Sequence, residues 1–181
     1  MQNFHEFPGI CVTILQPITF PTFGVVMSFE SLTDDEIQRL ISLPKRATNS
    51  LQAKVKQRPN TQHEECNIKL ISDDGQESFT FYTRQNLKLK RDFSCGLTWN
   101  SPAGDLVLLR LNGGGHDHPP LGVVCHIHKA SEKAIQNKKK PESIAEATKA
   151  YDSLDGAKHN LVAMACITGI AAPAPHPQLL P

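Results

Sequence analysis

Apolar and polar residues alternate along the middle of the chain, which is the pattern of strands with one buried face. Two such segments, CNIKLIS (66–72) and ESFTFYTR (77–84), flank the turn sequence DDG. They predict a hairpin whose apolar face carries Ile68, Leu70, Phe79 and Phe81. The segments CGLTWNS and DLVLLRLN, which a Pro-Ala-Gly turn separates, predict a second hairpin.

Two further segments continue the strand pattern beyond the hairpins. LKLKR (87–91) alternates, which predicts a strand with Leu87 and Leu89 inward and its lysines outward. LGVVCHIH (121–128) is apolar for most of its length and predicts another strand. Together with the hairpins, these segments predict an antiparallel sheet of about five strands.

Helices are predicted on both sides of this sheet in the sequence. Thr33 is a suitable N-cap for a helix over 34–43, because Glu36 follows three residues later and completes a capping box. After the sheet, SEKAIQNKKK (131–140) and PESIAEATKAYD (141–152) favour helix, and residues 160–170 fit either helix or strand. The order of elements predicts an α+β fold, with a single domain over residues 27–170.

The two ends of the chain lack such periodicity. Residues 1–26 contain three prolines and no basic residue, and Met27 stands directly before the first helix signals. We expect residues 1–26 to be a non-native or disordered extension, with Met27 as the start; the alternative is an extra N-terminal strand or arm. Alternating prolines disfavour helix, which predicts a disordered Pro-rich tail over residues 171–181.

Charge and cysteine usage narrow the function classes. The chain of 181 residues has a formal net charge of +1, so nucleic-acid binding requires local clustering of basic side chains. Such clustering exists, because every Lys and Arg lies between Arg39 and Lys158. The five cysteines are scattered and odd in number, which favours a reducing, cytoplasmic setting. No apolar run approaches the roughly 20 residues of a membrane span, so no membrane partner is expected.

Four motifs, taken in sequence order, resemble a known family. They are a first helix ending in LPKR (43–46), a hairpin with the turn DG (74–75), an LRL strand (109–111) followed by a Gly/His/Pro loop, and a C-H-x-H strand (125–128). In this combination the chain resembles a widespread bacterial family of small α+β proteins classed as a domain of unknown function. The resemblance covers residues 32–170. It implies the domain limits and the fold, and it carries no activity with it.

Four of the eight histidines fall within the segment 116–128, in the loop GGGHDHPP and the strand segment CHIH. Side chains alternate along a strand, so His126 and His128 are expected on one face, about 7 Å apart, with Cys125 on the other. His116 and His118 lie in the loop, whose glycines permit unusual backbone angles. If the flanking strands form a hairpin, the four imidazoles become neighbours.

In a first interpretation the cluster performs acid/base catalysis, because the imidazole pKa lies near working pH. One imidazole acts as base and another as acid while RNA is cleaved at its own 2′-hydroxyl, without any cofactor. A cation, Arg110, Lys129 or Arg91, stabilises the pentacovalent phosphate. The catalytic candidates are His116, His118, His126, His128 and Arg110, and the candidates for nucleic-acid binding are Lys88, Lys90, Arg91 and Lys129.

A second interpretation makes the histidines metal ligands. His116, His118, His126 and His128, with Asp117, would bind a divalent ion such as zinc, since a His-x-His pair on a strand is a suitable bidentate ligand. In a third interpretation the histidines are structural, with the strand pair hydrogen-bonded inside the sheet and a merely polar loop.

The acid/base interpretation leads the functional hypothesis. We expect a small nucleic-acid-directed protein, a metal-independent endoribonuclease with RNA as its partner, in which Tyr82 or Trp99 stacks a base. The alternative is a non-enzymatic module that binds nucleic acid or a partner protein and holds zinc. Two imidazoles facing one cleft beside a cation would favour the enzyme, whereas three ligands converging on one point would favour the metal.

Overall fold

The computed structural model describes residues 29–49, 53–59 and 61–170, and one mixed sheet organises this part of the chain. Its nine strands are β1 Lys45–Ala47, β2 Lys56–Gln57, β3 His63–Ser72, β4 Ser78–Asn86, β5 Phe93–Ser101, β6 Gly104–Asn112, β7 His126–Lys129, β8 Ile144–Ala147 and β9 Ile167–Thr168. The spatial order is β8-β7-β6-β5-β4-β3-β1-β9, and β2 pairs with β3 off this path.

Three α-helices accompany the sheet in the described residues, α1 Asp34–Ser42, α2 Glu132–Gln136 and α3 Leu154–Met164. The first helix begins as predicted, because the Oγ1 atom of Thr33 accepts a hydrogen bond from the backbone N–H of Glu36 at 3.2 Å. The predicted α+β class is therefore confirmed. None of the helices in the described part has the length and apolar character of a membrane span.

The core lies on one face of the two central hairpins. In the β3–β4 hairpin Ile68 is opposite Phe81 and Leu70 is opposite Phe79, and all four side chains are buried as predicted. The β5–β6 hairpin follows in the same antiparallel order. Helix α3 packs against β4, β5 and β6. The opposite face of these strands is left for polar side chains.

The prediction of about five antiparallel strands is wrong in number and in kind. β1 and β9 pair in parallel, β1, β2 and β8 were not predicted, and β9 lies in a segment left open between helix and strand. These strands have only two to four residues each, too few for alternation to show in the sequence. They form because pairing with a neighbouring strand satisfies their backbone groups.

Residues 87–91 form a turn between β4 and β5 and not the predicted strand. The side-chain Oδ1 of Asn86 accepts hydrogen bonds from the backbone N–H groups of Lys88 at 2.9 Å and Leu89 at 3.1 Å. Such local hydrogen bonds compete with the inter-strand hydrogen bonds of a sheet. In residues 87–91 the local bonds form and the strand does not. Leu87 and Leu89, expected inward, are 36% and 38% exposed.

Two later segments also depart from prediction. The strand expected from residue 121 begins only at His126, since residues 118–122 form a tight turn closed by a bridge between His118 and Gly122. The helix expected over residues 141–152 is replaced by strand β8, which pairs with β7. The open edge of β7 offers hydrogen-bond partners to the backbone groups of residues 144–147, so this segment pairs as a strand. The segment 160–170, left open between helix and strand, contains the end of α3 and then β9.

The predictions for residues 1–26, for Met27 and for the tail 171–181 lie outside the described residues. The four described cysteines, Cys66, Cys95, Cys125 and Cys166, form no disulfide.

Lys45 is fully buried where α1 and α3 end. Its Nζ donates hydrogen bonds to the carbonyl oxygens of Ile41 at 2.8 Å, Leu43 at 2.5 Å and Ala165 at 3.2 Å. The ammonium also lies 4.7 Å from the ring centre of Phe79. Lys45 therefore ties the last turns of two helices to the sheet.

We expect Lys45→Met to lower the free energy of unfolding by about 3 kcal/mol, because three buried carbonyl groups lose their donor. Equilibrium urea denaturation measures the change. Lys69→Met, at an exposed position of β3, is the matched control and should change stability by less than about 0.5 kcal/mol. Equal losses in both variants would contradict this role of Lys45.

Candidate functional site

Two rows of side chains cross the sheet on the face opposite the core. Each row has one residue from β4, β5, β6 and β7, placed directly opposite one another by the strand register. The rows are Tyr82, Gly96, Arg110 and His128, and Arg84, Ser94, Asn112 and His126. Because the rows are two residues apart on every strand, they share one face. The register thus places Arg110 beside the strand histidines.

The loop that carries His116 and His118 packs against the turn 87–92. A Cβ atom on Gly113 would overlap the carbonyl oxygen of Arg91, and one on Gly115 would overlap the Cα of Asp92. Neither glycine has a positive φ. Their purpose is close approach between backbones, and the interpretation that they supply unusual backbone angles is wrong for these positions.

The four imidazoles lie close together, with His116, His118 and His128 lining one pocket and His126 buried beside it. The ring centre of His126 lies 4.5 Å from that of His118, 5.0 Å from that of His128 and 5.9 Å from that of His116. One ring nitrogen from each of His118, His126 and His128 lies within 4.8 Å of the others. This histidine triad is the group of metal-ligating side chains found among the described residues; His116 and Asp117 lie outside it.

Backbone carbonyl groups fix the orientation of two of these rings. The Nδ1–H of His126 donates to the carbonyl oxygen of Val124 at 2.8 Å, and that of His128 donates to the carbonyl oxygen of Glu142 at 2.9 Å. The proton is therefore on Nδ1 in both rings, and Nε2 carries the lone pair. Metal-ligating histidines generally have this arrangement, in which the outer ring nitrogen donates to a carbonyl or carboxylate group.

Unpartnered polar atoms gather at the same place. Within the described ranges, the buried side-chain nitrogen and oxygen atoms without a hydrogen-bond partner are Nε of Arg110, Oδ1 of Asn112, Nδ1 of His118 and Nε2 of His128. All four residues line one pocket of about 340 Å³. Buried polar atoms are nearly always paired. Four such exceptions in a single pocket make it the candidate functional site of the described residues.

Asn112 and Tyr151 hold His126 in position. The side-chain Nδ2 of Asn112 donates to Nε2 of His126 at 3.1 Å, the orientation that the lone pair on Nε2 requires. The Tyr151 hydroxyl donates to the backbone carbonyl oxygen of His126 at 2.8 Å. Both bonds rigidify the strand that carries the histidine pair.

Burial keeps the strand histidines neutral. His126 is fully buried, and His128 is 3% exposed. Burial lowers the pKa of His128 to about 4, with a smaller contribution from the positive charge of Arg110, and it also lowers the pKa of His126. A neutral imidazole offers a lone pair to a metal but has no proton to give near pH 7. Neither residue therefore suits the role of general acid.

The wall of the pocket facing the triad is cationic, with Arg58, Arg84 and Arg110 in its lining. The Nε atoms of Arg58 and Arg84 lie 3.3 Å and 3.8 Å from one carboxylate oxygen of Glu65. Arg110 has its Nη1 atom 3.7 Å from the buried carboxylate of Glu142. This histidine pocket thus combines a possible ion site with anion-binding groups.

Residues 32–163 match the model of a family described as "Family of unknown function (DUF6978)". The chain belongs to this family. The matched segment contains both rows of the site, the glycine-rich loop and Glu142, so it covers the whole histidine pocket. The predicted resemblance to a domain of unknown function is confirmed. The comparison with curated proteins and the comparison with solved structures gave no match.

Three of the predicted nucleic-acid contacts lie in the turn that packs against the histidine loop, within this family segment. Lys88, Lys90 and Arg91 are exposed in the turn 87–92, and Asp92 at the end of that turn lines the pocket. The contact between this turn and Gly113 places them beside the histidine loop.

Two predicted residues lie away from the site. Lys129 follows His128 and therefore points to the other face of β7, where its Nζ donates to Oε1 of Gln38 at 2.6 Å. Trp99 is buried, and its Nε1–H donates to Glu77. Of the two predicted stacking residues only Tyr82 lines the pocket.

Sequence reasoning missed Asn112 and Glu142, and it did not single out Arg58 or Arg84 within the basic segments 54–58 and 84–91. Alternation did contain a signal for Arg84, since a strand with Phe79 and Phe81 in the core turns Arg84 to the opposite face. Asn112 carried the same signal two residues after Arg110. Glu142 had none, because it fixes His128 through a backbone carbonyl group that any residue supplies.

Proposed function

We propose that this protein binds a divalent metal ion, with zinc as the first candidate, through the histidine triad and uses the ion to hydrolyse a substrate. The observation that carries the proposal is the convergence of nitrogens from His118, His126 and His128 within 4.8 Å of one another. Imidazole nitrogens suit zinc, and three protein ligands with a fourth position for water are typical of catalytic zinc sites.

The donors need little movement to fit the ion. Nitrogens around a tetrahedral zinc ion are about 3.4 Å apart, so the widest separation in the triad has to close by roughly 1.5 Å. His118 supplies this movement, because it belongs to a loop while the other two ligands belong to β7. For His126 to hold the ion through Nε2, the Asn112 amide, which donates to that lone pair, would have to move aside.

The surroundings support a catalytic ion over a structural one. A structural zinc site usually has four protein ligands, whereas the described residues supply three. Two members of the triad, His118 and His128, also line an open pocket. A bound zinc ion supplies hydroxide from its own water near pH 7. The exposed His116, whose ring lies 5.9 Å from that of His126, is placed to carry the proton that this water releases.

A second candidate is the metal-independent endoribonuclease expected from the sequence. The observation that favours it is the presence of His116 and Arg110 in the lining of the same pocket. Since His126 and His128 are held neutral, the proton donor of such an enzyme would be His116 or His118.

We test the proposal by metal analysis and calorimetric zinc titration of the purified protein. The expected result is one zinc ion per chain, with an affinity that His118→Ala lowers by at least about 100-fold. His63→Ala is the matched control, because His63 lines the same pocket outside the triad, bonded to Asp92. It should change zinc affinity by less than about threefold.

Incubation with total RNA separates the two candidates. RNA cleavage that persists in chelator, by a protein that binds no zinc, would overturn the metal proposal and support the acid/base enzyme. Zinc binding of equal strength in the wild type and His118→Ala would show that the ion lies elsewhere.

A further inference from the structure

The geometry points to a phosphate ester as the substrate, held by Arg58, Arg84 and Arg110 beside the metal. This inference rests on the proposed function and names the substrate class that the same site takes. The three arginines come from a loop, from β4 and from β6, and the fold brings their side chains to one pocket.

Positive charge exceeds negative charge in this pocket. Its lining holds three guanidinium groups and one carboxylate group, that of Asp92. The Oδ2 atom of Asp92 is already bonded to Nε2 of His63 at 3.2 Å and to Nδ2 of Asn86 at 3.0 Å. The carboxylates that these guanidinium groups contact, Glu65 and Glu142, are outside the lining. A phosphate group, with its several oxygens and its negative charge, matches the paired donors of the guanidinium groups.

Nearby carboxylates orient the arginines without neutralising them fully. Arg58 and Arg84 share the single carboxylate of Glu65. The Nη1 atom of Arg110 is 3.7 Å from Glu142, beyond good hydrogen-bond distance, and its buried Nε–H has no partner. Donors therefore remain for a ligand on the pocket side.

Tyr82 is a positioning residue for Arg84. The guanidinium of Arg84 lies over the Tyr82 ring, 5.4 Å from its centre. The ring in turn lies flat over Gly96, where a Cβ atom would be 2.5 Å from the ring carbon Cζ. The stack limits the positions that the guanidinium can take, which reduces the entropy lost when it binds an anion.

The arginines lie at suitable distances from the metal ligands. Arg110 is directly opposite His128 in the β6–β7 register, with about 5 Å between their backbones. Arg84 lies in the other row, three strands away from His126, with about 14 Å between their backbones. One phosphate oxygen can therefore meet the metal while others accept from Arg110, Arg84 and Arg58, whose side chains line the same pocket.

The reaction is hydrolysis, and it needs only water and the ester. Held by His118, His126 and His128, the metal would supply hydroxide from water, and attack of that hydroxide on phosphorus would make the new P–O bond. The P–O bond to the leaving group breaks with its electron pair, and the leaving oxygen takes up the proton that the water had released through His116. Arg110 donates to a non-bridging oxygen, whose negative charge it stabilises during the attack.

Inorganic phosphate is the first probe, titrated calorimetrically into the metal-free protein so that the arginines are tested without zinc. Arg84→Gln removes a guanidinium whose side chain is half exposed, so the fold should be unaffected. We expect it to weaken phosphate binding about tenfold and to leave zinc affinity unchanged. Arg46→Gln, at an exposed position of β1, is the matched control with wild-type phosphate binding. Undetectable phosphate binding, or equal binding in wild type and Arg84→Gln, would overturn the inference.

Three chromogenic substrates then define the class with the zinc-loaded protein. Hydrolysis of 4-nitrophenyl phosphate indicates a phosphomonoester, hydrolysis of bis(4-nitrophenyl) phosphate indicates a phosphodiester such as RNA, and either result supports the inference. Hydrolysis of 4-nitrophenyl acetate alone would overturn it while leaving the zinc hydrolase intact. If the protein binds phosphate but no zinc, the proposed zinc function is wrong and the phosphate site at the arginines is still supported.

Discussion

Gly115→Ala is expected to lower zinc affinity by about 100-fold while the sheet stays folded. A Cβ atom at this position would overlap the Cα of Asp92 and lie 2.8 Å from its backbone nitrogen. Backbone atoms cannot rotate away, so the loop has to lift from the turn 87–92 and carry His118 away from His126 and His128. Calorimetric zinc titration measures the affinity, and far-ultraviolet circular dichroism monitors the fold. Overpacking of this kind costs about 1–3 kcal/mol of stability.

Gly114→Ala is the control for this experiment. Its added Cβ would be no closer than 3.3 Å to any neighbouring atom, here the carbonyl oxygen of Val123, so small shifts accommodate it. Zinc affinity within about threefold of wild type is expected. If zinc affinity falls equally in both glycine variants, the contact between the loop and Asp92 is not what positions His118.

The metal-free protein is expected to lose about 2 kcal/mol of unfolding free energy between pH 7 and pH 4.5, because of His128. Its pKa is about 4 in the folded chain and about 6.5 in an unfolded one. Between these values the unfolded chain binds more protons, so stability falls as the pH falls from about 6.5 towards 4. The lowered pKa of His126 has the same sign and adds to the loss.

Urea denaturation at a series of pH values, in the presence of chelator, measures this loss. His128→Gln should flatten the dependence between pH 7 and pH 4.5, whatever its effect on stability at pH 7. His159→Gln, at an exposed position of α3, should keep the wild-type dependence. If the unfolding free energy of His128→Gln depends on pH as steeply as that of the wild type, the buried imidazole is not the group responsible.

Local patterns predicted the elements that form from neighbouring residues. The β3–β4 hairpin and α1 depend on alternation, a turn sequence and a capping residue, all within one short stretch. Alternation failed for residues 87–91, which it predicted as a strand. The Asn86 side chain accepts hydrogen bonds from backbone N–H groups there, so a turn forms instead. Strand β8 shows the other limit, because the open edge of β7 determines its conformation.

The sequence by itself determined which residues could form a site. A period of two along a strand places His126 and His128 on one face, and the crowding of histidines in residues 116–128 marks the adjoining loop. Only the tertiary structure decided what these rings can do. Strand register brings Arg110 to His128, the carbonyl group of Glu142 sets the tautomer of that ring, and burial lowers its pKa. Strand register, the carbonyl groups that accept from the ring nitrogens, and burial all arise from contacts between distant segments. No local sequence pattern encodes those contacts.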